Sequence, residues 1–303
     1  MKTVVTLWNF SRPHTVIGTI ISTLTLYLII CGNNKVQHLS LLLMALMVGI
    51  SCNIFIVGIN QIADVHIDKI NKPYLPIPAG ALSIQNAKII VYTALFFSLS
   101  LSFHISPFLF LIIFLSAAIG WAYSVPPLHL KKHHLSAALA ITFVRGILIN
   151  VGGFMVFNYL VNKSLTLPEN VKILSAFILV FGIVISWFKD LSDMEGDSTY
   201  SIKTLAIVYS PRSTFIIGSL LIVLIYLLTI FLKYLDFINS VIPSFQIIVL
   251  LYGHIFLLTL FIINSFTIDL RNQTSVKKFY KRFWWFFFAE YLLYLTAYAV
   301  EIK

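Results

Sequence analysis

Charged residues are scarce in this chain. Only 11% of its 303 residues are Asp, Glu, Lys or Arg, whereas soluble domains hold about a quarter, so an ordinary soluble domain is excluded. Because 59% of the residues are hydrophobic, we predict an all-α integral membrane protein whose apolar surface faces lipid. The net charge of +10 comes without a basic, aromatic-interleaved module for nucleic acid. It therefore indicates membrane topology and contact with anionic lipid.

Cysteine is equally scarce. Cys31 and Cys52 lie in or beside apolar runs without acidic or histidine partners, which argues against a disulfide framework and a thiolate metal site. The first residues show neither a signal-peptide cleavage pattern nor a long Arg/Ser-rich transit segment. With the initiating Met, we expect a bacterial chain rather than a trimmed plastid one.

Long apolar runs recur throughout the sequence. A membrane helix needs about 20 mostly apolar residues, which predicts a bundle of nine transmembrane helices in one domain of residues 1–303. The predicted spans run near 13–31, 39–59, 86–104, 107–124, 136–158, 171–189, 213–232, 241–264 and 281–301. The turn from His104 to Pro107 separates the third span from the fourth.

Basic residues are distributed unevenly between these spans. With the N-terminus in the cytoplasm, 15 of the 21 Lys and Arg lie on the cytoplasmic side. Five lie on the other side, Lys35 and Lys303 among them, and Arg145 is intramembrane. This bias follows the positive-inside rule. We expect a multi-pass protein of a bacterial inner or thylakoid-type membrane.

An evenly spaced polar row follows the second span. Asn60, Asp64 and Asp68 recur every four residues, which places them near one face of a helix. They offer only oxygen ligands, which suit a hard divalent cation such as Mg²⁺ that also contacts phosphate. The alternative is that they are ordinary polar residues where a helix leaves the membrane.

A second acidic row follows the sixth span. Asp190, Asp193 and Asp197 again share one helical face, whereas Glu195 points elsewhere. Since both rows follow even-numbered spans, we expect two Asp-rich cytoplasmic loops on one side of the membrane. Two such clusters repel each other unless cations lie between them. This predicts two Mg²⁺ ions bridging a diphosphate. Nearby lysines could hold the remaining phosphate charge, or their position could reflect membrane topology alone.

The two rows resemble known motifs. NQIADVHID is similar to the NxxxDxxxD motif of UbiA-type prenyltransferases, and KDLSDMEGD to their second Asp-rich motif, with its core from Asp193 to Asp197. The segments WNFSRPHTVIGT, AYSVPPLHLKK and TFVRGILINVG resemble the homogentisate phytyltransferase branch, which makes tocopherol and plastoquinone precursors. The resemblance covers nearly the whole chain, and nine helices is the family count.

One departure concerns the phosphate-binding lysine. Some relatives carry a YxxxK pair after the fourth helix. Here Tyr123 is followed by Pro126 and Pro127, and the nearest lysine is Lys131. The resemblance therefore leaves open which lysine meets the phosphate.

The resemblance implies Mg²⁺-dependent transfer of a phytyl or related prenyl group from its diphosphate to an aromatic acceptor. The implied acceptor is homogentisate, with decarboxylation. Catalytic roles fall to Asp64, Asp68, Asp193 and Asp197, which with Asn60 and Asp190 form the metal-ligand set. The candidate substrate-binding residues are Arg12, Lys72, Tyr123, Lys131, Arg145, Asn150, Lys189 and Lys203. The oligomeric state stays open.

Arg145 is informative because it lies near the middle of the fifth span. A charge there costs roughly 2.5–3.5 kcal/mol, so it should face the bundle interior and find a partner. The partner is either the acceptor carboxylate or the diphosphate, or else a structural ion pair or a backbone carbonyl. Arg12 is a second candidate for the acceptor, and Asn150 lies on the same helix as Arg145.

Two other functions stay open at this point. The acceptor could be 4-hydroxybenzoate, another quinone precursor or a chlorophyllide. A cation transporter is the alternative from a different class, but it should carry carboxylates near mid-membrane. In this sequence the acids gather at one face and Arg145 is the deep charge, which disfavours transport.

Overall fold

The protein is described by a computed structural model that covers residues 2–32 and 38–299. The described part is helical, and its one β-type pairing is an isolated bridge between His133 and Lys203. The α-helices are α1 (Lys2–Phe10), α2 (Pro13–Cys31), α3 (Leu39–Ala63), α4 (Val65–Asn71), α5 (Ile84–Ile105), α6 (Pro107–Ser124), α7 (His134–Thr142), α8 (Phe154–Asn162), α9 (Glu169–Thr199), α10 (Leu205–Val208), α11 (Pro211–Asn239), α12 (Phe245–Ser265) and α13 (Gln273–Ala299).

Eight membrane-length helices match the first eight predicted spans. The fifth is one continuous rod, His134–Asn162, built from α7, a π-helical segment and α8. The ninth, α13, is 27 residues long, but its first turns carry four Lys or Arg residues and its apolar character falls short of the other eight. Nine spans therefore stay a prediction, and Lys35, Lys303 and the end of the ninth span lie outside the described residues.

The predicted break between the third and fourth spans is confirmed at Ser106. Its extended backbone ends α5, its hydroxyl accepts a hydrogen bond from the amide of Phe108 at 3.2 Å, and Pro107 begins α6. A side-chain cap followed by proline at the first helical position is a common helix start. The chain therefore reverses here instead of forming one very long helix.

Helix α9 is the centre of the bundle and packs against α7, α11, α13 and the π-helical segment. Its phenylalanines are fully buried, and Phe181 stacks on Phe283 of α13 with ring centroids 4.4 Å apart. Offset aromatic stacking of this kind adds rigidity to apolar burial. The last turns of α9 carry the second acidic row, so the most buried helix fixes the position of that row.

The π-helical segment, Phe143–Gly153, carries Arg145. Gly146 lies against α9 so closely that a Cβ atom there would come within 2.4 Å of the Leu179 side chain. Mid-helix π geometry is rare and recurs at functional sites. Here the π-helical segment carries Arg145, which lines the cavity described below.

The expectation of two Asp-rich loops is wrong. The second row lies within α9, and the first spans the end of α3 and the short α4. Hydrogen bonding every four residues continues through both stretches, because side-chain contacts with the rest of the bundle hold them helical beyond their apolar parts.

Candidate active site

The first acidic row bends at Asp64. Helix α3 ends at Ala63, Asp64 has a non-helical ψ of 12°, and α4 begins at Val65. The ladder still continues, since the amide of Asp64 donates to Asn60 O at 2.9 Å and that of Asp68 donates to Asp64 O at 2.7 Å. The three side chains stay on one side of the chain, as the spacing predicts.

Asn60 connects this row to its surroundings. Its amide donates to Asp64 Oδ2 at 2.8 Å and to Ser124 Oγ at 3.2 Å, and its carbonyl accepts from Arg12 Nη2 at 3.2 Å. All of the polar groups of Asn60 are therefore oriented by neighbours. Ser124, at the end of α6, is a contact that sequence reasoning did not single out.

Arg12 holds a strained backbone conformation at the start of α2. Its φ is +52°, in the left-handed region that L residues seldom adopt and that costs about 1–3 kcal/mol. This conformation brings its guanidinium to Asn60 and within 3.9 Å of Asp68 Oδ2. The buried Nε of Arg12 has no hydrogen-bond partner among the described residues, so the group keeps donor capacity for an anion.

The second acidic row is buried on α9. Asp190, Asp193 and Asp197 are each 3–6% exposed, whereas Glu195 is exposed. Ser192 Oγ donates to Asp193 Oδ1 at 3.0 Å, and Lys189 Nζ lies 3.7 Å from Asp193 Oδ2. The prediction that Glu195 points away from the other three is therefore confirmed.

Two bridges join the rows. Lys72 Nζ lies 2.5 Å from Asp193 Oδ2 and 3.8 Å from Asp68 Oδ1, so one cation touches both clusters. Asn71 Oδ1 accepts from the backbone amide of Gly196 at 2.9 Å. A Cβ atom at residue 196 would come within 2.7 Å of Asn71, which explains glycine there. The two rows therefore form one polar cluster at one end of the bundle.

Lys131 forms an ion pair with Asp64 and is itself buried. The segment around it is held by backbone pairing: Lys203 N donates to Lys132 O, and His134 N donates to Lys203 O. Burial, with the charge of Lys189 next in size, lowers the pKa of Lys131 to about 7. The Lys203 side chain is exposed, so its described role is backbone pairing that positions Lys131.

A cavity of about 320 Å³ opens beneath this polar cluster. Arg12, Asn60, Tyr123 and Lys189 line its polar end. It continues past Gly18 and Ser22 to Tyr27 and Ile30, along nearly the whole of α2. At 1.5 Å per residue, the path from residue 12 to residue 30 is about 27 Å, close to the thickness of a bilayer core.

Arg145 faces this cavity without a carboxylate partner among the described residues. Its guanidinium carbon lies 5.1 Å from the centroid of Trp284 and 5.5 Å from that of Phe287. Aromatic faces stabilise a cation but leave its hydrogen-bond donors unused. An anion in the cavity would complete the coordination of Arg145.

Asn150 stands behind the cavity wall. It is fully buried, and its Oδ1 accepts a 2.8 Å hydrogen bond from Tyr291, which does line the cavity. Asn150 is therefore placed to orient Tyr291 rather than to touch a ligand directly. The nearby Trp284, whose ring contacts the Arg145 guanidinium, was also not singled out from the sequence.

The expectation that Arg145 is the one deep charge is wrong. Glu290 on α13 and His254 on α12 are both fully buried, with His254 Nε2 2.9 Å from Glu290 Oε1. Neither residue lines the large cavity. This pair joins two helices away from the polar cluster, and it offers no row of mid-membrane carboxylates along which a cation could pass.

The donor chemistry of the polar cluster fits Mg²⁺ bound together with phosphate. Its donor atoms are carboxylate and amide oxygens, and Asp68 Oδ2 is a buried acceptor with no hydrogen bond among the described residues. Among residues 2–32 and 38–299, no group of three or more His, Cys, Asp or Glu side chains lies close enough together to hold a metal ion by itself. Mg²⁺ usually takes only one or two carboxylates and completes its shell with water and substrate phosphate.

Sequence comparisons converge on one group of proteins. A model of the UbiA prenyltransferase family matches residues 19–287. Homogentisate phytyltransferase of Synechocystis sp. is 38% identical over 302 residues, which cover 98% of this chain and 96% of that protein. Chloroplastic homogentisate solanesyltransferase of Arabidopsis thaliana is 35% identical over 95% of this chain and 75% of its own length.

Solved structures share the architecture. A structure of digeranylgeranylglyceryl phosphate synthase matches with a TM-score of 0.65 at 23% identity, over 98% of this chain and 99% of that one. A UbiA homologue from Archaeoglobus fulgidus, bound to GPP and Mg²⁺, matches with a TM-score of 0.63 at 16% identity, over 96% and 99%. At these identities the likeness establishes the fold alone.

Proposed function

The chain belongs to the UbiA prenyltransferase family, and we propose that it transfers a phytyl or related prenyl group from its diphosphate to homogentisate. The observation that carries the proposal is the junction of one polar cluster with one long apolar cavity. Lys72 ties both acidic rows together, and the cavity begins at Arg12, Asn60 and Lys189. A prenyl diphosphate matches this arrangement, because its charged diphosphate suits the polar cluster and its long isoprenoid tail suits the apolar cavity.

The diphosphate would lie among the acidic rows with Mg²⁺ held by Asn60, Asp64, Asp68, Asp190, Asp193 and Asp197. Bound Mg²⁺ would supply Lewis-acid polarisation of the diphosphate and neutralise charge on the leaving group. Lys72, Lys131, Lys189 and Arg12 already contact these carboxylates or line the cavity mouth. They are therefore placed to pair with phosphate oxygens once a diphosphate enters.

The rest of the site excludes water and orients the acceptor. Breaking the donor C–O bond leaves an allylic cation, which the apolar wall would shelter from hydrolysis and the ring of Tyr291 would stabilise. Arg145, beside the rings of Trp284 and Phe287, would bind the acceptor carboxylate. Fixing the hydroquinone ring next to the cation contributes through proximity. We propose that residues 1–303 act as one membrane domain with the polar cluster on the cytoplasmic side.

The test of this function is a product assay. Purified protein in nanodiscs would be incubated with labelled homogentisate, Mg²⁺ and a panel of prenyl diphosphates. We expect a prenylated, decarboxylated quinol with phytyl diphosphate. Transfer to 4-hydroxybenzoate but not to homogentisate would move the assignment to another acceptor, and no transfer to any phenol would contradict it.

The cavity predicts a site that limits prenyl length. Val48 lines its deep part about 18 Å along α3 from Asn60, so Val48→Phe fills space that the distal end of a long tail needs. An extended chain advances about 1.2 Å per bond, and a C20 tail therefore reaches roughly 18 Å. We expect kcat/KM for phytyl diphosphate to fall at least about tenfold, while that for geranyl diphosphate changes less than about twofold.

Leu43→Phe is the matched control for this change. Leu43 is five residues away on the same helix, is 52% exposed and does not line the cavity. Leu43→Phe should leave kcat/KM for both phytyl and geranyl diphosphate unchanged. Equal losses for long and short donors in Val48→Phe would show that the tail does not extend along α3.

Substitution of Arg145 is expected to weaken binding of the aromatic acceptor. Arg145→Lys keeps the charge but loses the planar fork that holds a carboxylate through two hydrogen bonds. We expect KM for homogentisate to rise about tenfold, with KM for the prenyl diphosphate unchanged. An acceptor carrying methyl in place of carboxymethyl should not distinguish the variant from wild type. A rise in the donor KM instead would assign Arg145 to the diphosphate.

A further inference from the structure

His14 lies on the wall of the large cavity, two residues after Arg12. Its ring meets Trp284 edge-on, with centroids 4.7 Å apart and planes at 66°. No described residue forms a hydrogen bond with its ring nitrogens, and the side chain is only partly buried. A polar ring that opens into a largely apolar cavity without a protein partner is available to a ligand.

His14 and Arg145 both contact the ring of Trp284. The Arg145 guanidinium carbon is 5.1 Å from the Trp284 centroid and the His14 centroid is 4.7 Å from it, so the two groups are at most about 10 Å apart. A phenylacetate-sized acceptor spans that separation. With its carboxylate on Arg145, its ring lies over the aromatic wall and a ring hydroxyl can reach the imidazole.

We propose that His14 is a catalytic residue that accepts the proton of the acceptor hydroxyl adjacent to the ring carbon that is prenylated. This inference rests on the proposed function and assigns a proton acceptor in addition to the carboxylates and basic residues. Histidine is the side chain most often used for such transfers.

The ring carbon bonds to C1 of the prenyl group as the donor C–O bond breaks, and that electron pair leaves with the diphosphate. The hydroxyl oxygen feeds electrons into the ring, its proton becomes strongly acidic, and the imidazole takes it, leaving a neutral dienone. The prenylated carbon then loses its own proton to the departing diphosphate. CO₂ leaves from the carboxymethyl group, and the methylene carbon that it leaves takes up that proton and becomes a methyl group. His14 returns its proton to the oxygen, which restores the aromatic hydroquinone.

Two variants separate proton transfer from packing. His14→Phe keeps an aromatic ring against Trp284 but has no acceptor atom. We expect its kcat for homogentisate to fall about a hundredfold. His14→Gln can accept a hydrogen bond but cannot take the proton. It should keep the wild-type KM for homogentisate and still lose most of kcat, and neither variant should change KM for phytyl diphosphate.

Homogentisate methylated on that hydroxyl, used as a competitive inhibitor, tests whether the hydroxyl contacts His14. It has no proton to give, so His14→Phe should leave its inhibition constant unchanged while weakening homogentisate binding about tenfold. A kcat equal to wild type in His14→Phe, or equal weakening of both ligands, would overturn the inference. Absence of prenyl transfer to any phenol by the wild-type protein would instead defeat the proposed function.

Discussion

Asp193→Ala is expected to reduce prenyl transfer by at least about a thousandfold. Asp193 is 3% exposed and is contacted by Lys72, Lys189 and Ser192, so it lies where the charges of the site converge. Its removal takes away a candidate metal ligand and leaves two lysines without their anion. Charge stabilisation of a departing group is worth several kcal/mol, and each 1.36 kcal/mol is a factor of ten in rate.

Glu195→Ala is the control for this loss. Glu195 is acidic, lies two residues away on α9 and is exposed, so its removal changes the net charge equally without touching the cluster. We expect near-wild-type turnover. Both variants should appear in membranes at wild-type levels, measured by immunoblot after carbonate extraction. Full activity of Asp193→Ala, or equal losses in the two variants, would contradict the assignment of α9 to the site.

Removal of divalent cations is expected to abolish turnover reversibly. The two acidic rows are held close by Lys72 in the protein alone, and a diphosphate adds further negative charge to the same place. Without divalent cations that charge is not neutralised, so donor binding and leaving-group departure both suffer. Activity should fall below about one-thousandth on chelation and return with Mg²⁺.

Calcium provides the contrast. Ca²⁺ prefers six to eight oxygen ligands at longer distances, whereas the cluster supplies a few oxygens suited to a small ion shared with phosphate. We therefore expect Ca²⁺ to restore less than about a tenth of the Mg²⁺-supported rate. Turnover that persists in excess chelator would show that the basic residues alone activate the diphosphate.

Much of the fold could be predicted from hydropathy alone. Eight apolar stretches form membrane-length helices. Ser106 and Pro107 separate two of them, because the Ser106 hydroxyl caps the start of α6 and a proline is favoured at the first helical position. The family assignment from the NxxxDxxxD and second Asp motifs is confirmed. The acceptor and donor roles of single residues stay predictions.

The missed features are those fixed by contacts distant in sequence. No local pattern marks the bend at Asp64 or the bridge from Asn71 to Gly196, since each depends on α4 meeting α9. The buried His254–Glu290 pair was missed because its partners are separated by 36 residues and lie on different helices. His14 stood inside the quoted SRPHT segment, but its placement beside Trp284 appears only when α2 packs on α13.

The central claim is that both acidic rows hold one metal-bound diphosphate at the mouth of the cavity. Mn²⁺ in place of Mg²⁺ allows pulsed EPR to detect the hyperfine coupling of the metal to ³¹P of a non-reactive prenyl thiolodiphosphate. We predict the ³¹P coupling of a phosphate bound to the metal through oxygen in the wild-type protein, and its loss in both Asp64→Ala and Asp193→Ala. Coupling that survives either substitution at full strength would contradict a site shared by the two rows.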